Sequence, residues 1–260
     1  MGQNANFPRE TLLLEPFVDP YLPVPMRPII VDFLNHGVLP FIGREPEGQR
    51  ILEFWQGDEE QFGLRALLVI GEVGSGKSRL IEELIPQIEQ QAGLVLRLRL
   101  RADGSGSIAP MIAISIGESP VASRLMNGEI AQTLPAVIGA VRRLCKLRRM
   151  LLIIEDLHLL RGATVREFGL LVDAIADEPL AILATSRPAE LTARGALEAY
   201  LVGELHLGDL RPDDMRRLWA ELFGNDPSSD VLSTFANATL GNPLAFRSAL
   251  QGALNAGAIA

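Results

Sequence analysis

Residues 71–78 read Gly71-Glu72-Val73-Gly74-Ser75-Gly76-Lys77-Ser78. This matches G-x-x-x-x-G-K-[ST] and constrains the fold more than any other stretch. Each fixed position has a separate physical job. Glycines let the backbone curl until successive N–H groups face a polyphosphate, the lysine brings a point charge to the outer phosphates, and the final hydroxyl can ligate Mg²⁺. Lysine is scarce here: Lys and Arg together number 24 and Lys occurs only at positions 77 and 146, so the other 22 are Arg. A lysine at the one place whose chemistry asks for it is therefore informative.

The flanks agree with the motif. Arg65 to Ile70 is a continuous apolar run after its first residue, as in a parallel strand buried on both faces. Downstream, Leu80, Ile81, Leu84, Ile85 and Ile88 recur at helical spacing, and Pro86 is expected to kink or shorten that helix. A strand, a glycine loop and a helix follow in order, and the helix N-terminus adds its dipole to anion binding.

Length and charge bound the rest. With 260 residues there is room for one α/β domain and a smaller module. A formal charge of −8 argues against a dominant non-specific nucleic-acid binder, although a local basic face is compatible with it. The lone cysteine, Cys145, excludes an internal disulfide and reads as a packing thiol. The first ten residues are polar and no apolar stretch is long enough to span a bilayer, so the expectation is a cytoplasmic protein without a membrane partner.

Six prolines between Pro8 and Pro28 mark residues 1–40 as an extended leader, broken by a short helix over Ile29 to Asn35 that Gly37 stops. An α/β domain is expected over 41–207 and a small helical domain over 208–260. Leu94 to Arg101 alternates strictly, with Arg97, Arg99 and Arg101 on one side. Burying those arginines in mid-sheet is unfavourable, so this strand belongs at an edge with its arginines solvated. Residues 109–149 read as mostly helical and end in a basic cluster (Arg142, Arg143, Lys146, Arg148, Arg149), with Leu147 among the apolar positions. Met150 to Asp156 is a buried strand closing on two acids, Glu155 and Asp156. At the carboxyl end of such a strand one acid can hold Mg²⁺ and the other can orient the attacking water. A further strand, Leu180 to Ala184, ends in Thr185-Ser186-Arg187, and a fifth is expected over Tyr200 to Leu207. Pro212-Asp213-Asp214 opens an amphipathic helix ended by Gly224, and Gly241-Asn242-Pro243 separates two more.

Together these segments resemble the STAND class of AAA+-like signal-transduction ATPases. The box Phe41-Ile42-Gly43-Arg44-Glu45, the loop 71–78, the strand Leu151 to His158, the Thr185-Ser186-Arg187 tip and Gly241-Asn242-Pro243-Leu244 occur in the family's order. The resemblance implies a three-layer αβα P-loop NTPase fold with a parallel sheet in the order 5-1-4-3-2, followed by a helical lid. It implies ATP or ADP with Mg²⁺; no N-K-x-D guanine motif argues otherwise. By carry-over, Gly71 through Ser78 and Arg79 cradle the phosphates, Ile42, Gly43 and Arg44 line the base pocket, Pro243 packs near the adenine, and Arg187 senses the γ-phosphate. Lys77, Glu155, Asp156 and Arg187 form the catalytic set, with Ser78, Glu155 and Asp156 toward the metal. Glu155 is assigned to the ion and Asp156 to the water. His158 is read as a packing residue. Where relatives often continue with His-Trp-Ala-Asp, this chain has His158-Leu159-Leu160-Arg161. The winged-helix and repeat-bearing sensor regions of such proteins have no counterpart, which reads as an ATPase portion or a short member.

The leading expectation is an ATP-binding switch with slow hydrolysis, coupled to a protein effector or sensor region and able to oligomerise with nucleotide. The alternative is a DNA-associated AAA+ ATPase, motivated by the basic helix and the arginine strand. A small-molecule kinase shares the P-loop but usually lacks the paired-acid strand followed by a Thr-Ser-Arg tip.

Overall fold

The computed structural model describes residues 28–57, 63–91, 93–100, 106–188 and 192–257. Most of the proline-rich leader, the acidic connector and Arg101 with the glycine-rich loop after it lie outside them.

Five parallel strands carry the fold: β1 (Arg65–Gly71), β2 (Leu94–Arg99), β3 (Met150–Glu155), β4 (Leu180–Ser186) and β5 (Leu201–Leu207). Their order is β2-β3-β4-β1-β5, which is the expected 5-1-4-3-2 sheet, with β2 at an edge. Alternation along each strand sorts side chains into two layers. Ala66, Leu68 and Ile70 of β1, with the even-numbered residues of β2, β3 and β4, meet α4 (Ile108–Glu118), α6 (Leu134–Leu147) and α7 (Ala163–Ala174). Leu67 and Val69, with Leu151, Ile153, Ala181 and Leu183, meet α2 (Glu45–Gln56) and α3 (Lys77–Gln90) on the other face. Both faces are covered, as an all-parallel sheet requires. The protein is thus a three-layer α/β fold of the P-loop NTPase type.

A third cluster stands apart. The helices α8 (Pro212–Phe223), α9 (Ser229–Thr239) and α10 (Pro243–Asn255) pack around Met215, Leu218, Trp219, Leu222, Phe246 and Leu250. The short helix α1 (Pro28–His36), ended by Gly37 at φ 66°, buries Phe33 in the same cluster.

Three expectations need correction. The helix α3 runs through Pro86 to Gln90 without being shortened, because Leu84 and Ile88 on either side of the proline are buried against the sheet. Leu147 is exposed at the end of α6 rather than part of its apolar face. Of the basic cluster, Arg142, Arg143, Lys146 and Arg148 are exposed, Arg142 also donating to the Ala174 carbonyl; Arg149 is half-buried, donates to the Trp55 carbonyl and covers its ring at 4.6 Å. Arg97 is not a solvated strand residue either, as its surroundings below show. Cys145 is buried and its thiol is pushed up to about 12, chiefly by desolvation, as suits packing.

The helix α8 is anchored by a buried acid. Asp214, with 3 % of its side chain exposed, accepts the Arg211 backbone N–H at 3.2 Å and its Nε at 3.0 Å. Burial alone would raise this carboxyl, but the Arg211 bonds and the charges of Arg211 and Arg217 hold it below the ordinary 3.8. A depressed carboxylate stabilises the fold above its unfolded pKa and loses that contribution as pH falls through the folded value. Asp214→Ala should therefore lower stability at neutral pH by about 1–3 kcal/mol. In urea melts its gap to wild type should shrink below about pH 4.

Candidate nucleotide site

The carboxyl ends of β1, β4 and β3 lie side by side, and the loop 71–78 springs from the first of them. Gly74 and Gly76 adopt φ of 80° and 94°, which turns the chain into the first residues of α3. The first backbone bond there runs from Leu80 N–H to the Gly76 carbonyl. The amides of Lys77, Ser78 and Arg79 therefore have no acceptor within the helix. The Ser75 hydroxyl is buried without a hydrogen-bond partner among the described residues. Orphan donors at a helix N-terminus suit an anion.

Lys77 is largely buried, and its ammonium donates to the Gly71 and Glu72 carbonyls at 2.7 and 2.9 Å. Desolvation is the main reason its pKa falls below 10.5; the charge of Arg187 adds to the fall, while Asp156 and Glu72 oppose it. Glu155 ends β3 and, as an odd-numbered residue, faces the α3 layer, where the nearby Ser78 hydroxyl helps to hold its carboxyl down. The next residue turns away: Asp156 adopts φ 58°, is half-exposed, and its N–H donates to Thr185 Oγ1 at 2.9 Å. His158 is buried behind it, 3.9 Å from the Asp156 carboxylate.

These groups border a cavity of about 520 Å³. Among the residues expected at the site, Ile42, Arg44, Val73 through Arg79, Asp156, Arg187 and Pro243 line it, whereas Gly43, Gly71, Glu72 and Glu155 do not. The loop Gly241-Asn242-Pro243 reaches across to the phosphate loop: Asn242 Nδ2 donates to the Val73 carbonyl at 2.9 Å, and Leu244 N–H to the Gly74 carbonyl at 3.3 Å. A Cβ on Gly74 would come within 2.6 Å of Leu244 Cβ.

Sequence reasoning missed three features. The segment from His36 to Pro40 forms part of the cavity wall, although nothing in its sequence pointed to a ligand. Arg247 lines the cavity from α10, its Nε buried without a hydrogen-bond partner among the described residues. A lone arginine four residues after Pro243, in a helix with no other charged residue, was the available signal. Third, Arg97 of β2 is a partner of the strand-end acid. Its Nε donates to Glu155 at 2.5 Å, and Nη2 to Glu82 of α3 at 3.1 Å. Arg99, 70 % exposed, adds a weaker contact to Glu155 at 3.4 Å. Parallel register sets Arg97 opposite Ile153 and Arg99 opposite Glu155, on the face that α3 covers. Burial alone would raise the Glu155 carboxyl; the hydrogen bonds from Arg97 and Ser78 and the arginine charges hold it below 4.5.

Because Arg97 and Glu155 are both substantially shielded, removing one partner strands the other charge. Arg97→Met should destabilise the fold by about 3 kcal/mol in urea melts, and Arg97→Met with Glu155→Leu should recover most of that loss. Arg99→Met should change stability by less than about 1 kcal/mol, as an exposed pair does.

Comparison with known proteins agrees with this geometry. The family model described as AAA ATPase domain matches residues 40–183, more than half of the chain. Among curated proteins none matches it in sequence. Solved structures of similar fold include Drosophila ORC bound to DNA, with TM-score 0.63 and 15 % identity over 95 % of this chain and 67 % of that one. The Aeropyrum pernix ORC1 protein in complex with DNA gives 0.58 and 16 %, over 88 % and 63 %. Domain III of the Thermotoga maritima replication initiation protein DnaA gives 0.50 and 16 %, over 90 % and 92 %. The chain thus spans about two thirds of the first two and most of the third. With its glycine loop and strand-end acids gathered at one sheet edge and the family model matched across most of its sheet, this chain belongs to the AAA ATPase domain family.

Proposed function

We propose that the protein binds ATP with Mg²⁺ between the sheet edge and the helical lid, hydrolyses it slowly, and uses the ATP/ADP difference to set the lid. The observation that carries this reading is the set of orphan donors at the start of α3 beside Lys77, facing a cavity that also holds Asp156 and Arg187. The α/β part would be 41–207 and the lid 208–260.

In this reading the amides of residues 74–78 and the Lys77 ammonium hold the phosphates. Ser78 and Glu155, neighbours at the start of α3 and the end of β3, are the residues that would hold Mg²⁺. The ion would neutralise charge on the phosphate oxygens. Asp156, half-exposed at the cavity wall, orients and accepts a proton from the attacking water. Arg187 and Arg247 bring positive charge to the cavity from β4's tip and from the lid. The apolar stretch Val38 to Ile42 receives the base, with Pro243 closing over it.

For what the switch acts on, the DNA-associated reading has the better support, since the ORC structures of similar fold were solved with DNA and the third is a replication initiation protein. Arg143 and Lys146, exposed on α6, are the basic residues available for a phosphate backbone. A protein effector in a STAND-like regulator is the second reading, favoured by the direct docking of Gly241-Asn242-Pro243 on the phosphate loop.

Calorimetric titration with ATP and Mg²⁺ should show binding by wild type and a loss of roughly 100-fold in Lys77→Ala, the scale for removing one member of a shielded charge contact. Asp156→Asn should keep binding and lower turnover by about 10²-fold or more, as removal of a general base does. Unchanged binding in Lys77→Ala would sink the nucleotide reading. Retention on duplex DNA with ATP, weakening steeply with salt, supports the DNA-associated reading; its absence at low salt removes that reading alone.

A further inference from the structure

Besides bordering the cavity through Phe41, Ile42 and Arg44, the box Phe41 to Glu45 makes polar contacts beyond it. Arg44 is buried, and its guanidinium donates through Nη2 to two carbonyls: Ser75 of the phosphate loop at 3.1 Å and Gly208 at 2.5 Å. Its Nη1 donates to Glu47 of α2 at 3.1 Å. Gly208 is the first residue after β5, where the chain leaves the sheet for the lid. The two neighbours of Arg44 meet the first lid helix. Gly43, at φ 82°, lies so close to Asp214 that a Cβ would come within 2.7 Å of its carboxyl carbon. Glu45 pairs with Arg217 at 2.6 Å.

A guanidinium is a rigid, planar fork that never loses its charge at physiological pH. Holding two carbonyls on one terminal nitrogen of that fork, whose two N–H bonds point in fixed directions, sets their separation. Breaking either contact inside the protein leaves a donor or acceptor unsatisfied, so the two peptides move together or at a cost of about 1–3 kcal/mol. The exposed Glu45–Arg217 pair contributes little energy by comparison.

We infer that Arg44 is a positioning residue that couples the conformation of the phosphate loop to the hinge of the lid, through the Ser75 and Gly208 carbonyls. This deepens the nucleotide reading and rests on it. A change in the Ser75 peptide on exchange of ATP for ADP is passed to Gly208 and so to the start of α8.

Hydrogen exchange over residues 208–223, measured at saturating ATP with Mg²⁺ and at saturating ADP, tests the coupling. Wild type should differ between the two nucleotides by about fivefold or more, the low end of site-to-site coupling. In Arg44→Met the difference should fall below about twofold at full saturation, which takes any change in affinity out of the comparison. Arg44→Lys, whose single ammonium is a point charge rather than a fork, should give an intermediate value. A wild-type-sized difference in Arg44→Met overturns the inference, as does one in Arg44→Lys should the methionine variant not fold. A wild type that binds both nucleotides with equal exchange also overturns it, and leaves the nucleotide site standing. A wild type that binds neither removes the site and the coupling together.

Discussion

The amide groups that open α3 have no acceptor in their own helix, and the curl of the preceding glycines turns them toward one point. Much of the structure serves that arrangement. The strand before the loop must be rigid, and β1 is central, paired on both sides and covered by helices on both faces. The acids must stand nearby, and the parallel order delivers Glu155 and Asp156 one strand beyond β4. Helix α3 projects its dipole from the same spot while Leu80, Ile81, Leu84 and Ile88 seat it on the sheet.

Charge is balanced within this edge rather than left to solvent. Lys77 rests on two loop carbonyls, and its proton affinity reflects desolvation opposed by Asp156 and Glu72. Glu155 is shared between the Ser78 hydroxyl and Arg97. A carboxylate so placed stays ionised despite its burial, because the guanidinium and hydroxyl supply what water would have supplied. The two acids, adjacent in sequence, thus occupy different environments. One is enclosed by the edge strand and α3; the other turns through a left-handed residue to the cavity.

Much of this was legible in the sequence. The octapeptide and the doubly buried runs marked β1, β3 and β4, and the alternation of β2 put that strand at an edge, because hydrophobic period and strand-end chemistry are local properties; the full strand order came from the family resemblance. The ends of α1 and α8 were legible from Gly37 and Gly224. What escaped were contacts made across the sheet or between modules. Alternation put Arg97 on a polar face without saying that α3 would cover that face and bring Glu82 to it. Nothing in the composition of Val38 to Pro40 distinguished a cavity wall from a linker. Arg247 stood in a helix with no other charged residue, and only its position relative to Pro243 marked it.

The lid grips the phosphate loop by backbone oxygens: Val73 gives its carbonyl to Asn242 and Gly74 its carbonyl to Leu244. Such a joint is indifferent to which side chains the loop carries, so Glu72 and Val73 are free to drift over evolution without loosening it. Gly74 is the exception. Any larger residue there would act as a wedge against Leu244 and prise the two modules apart, so that glycine is demanded twice over, once by backbone curvature and once by the partner seated on it.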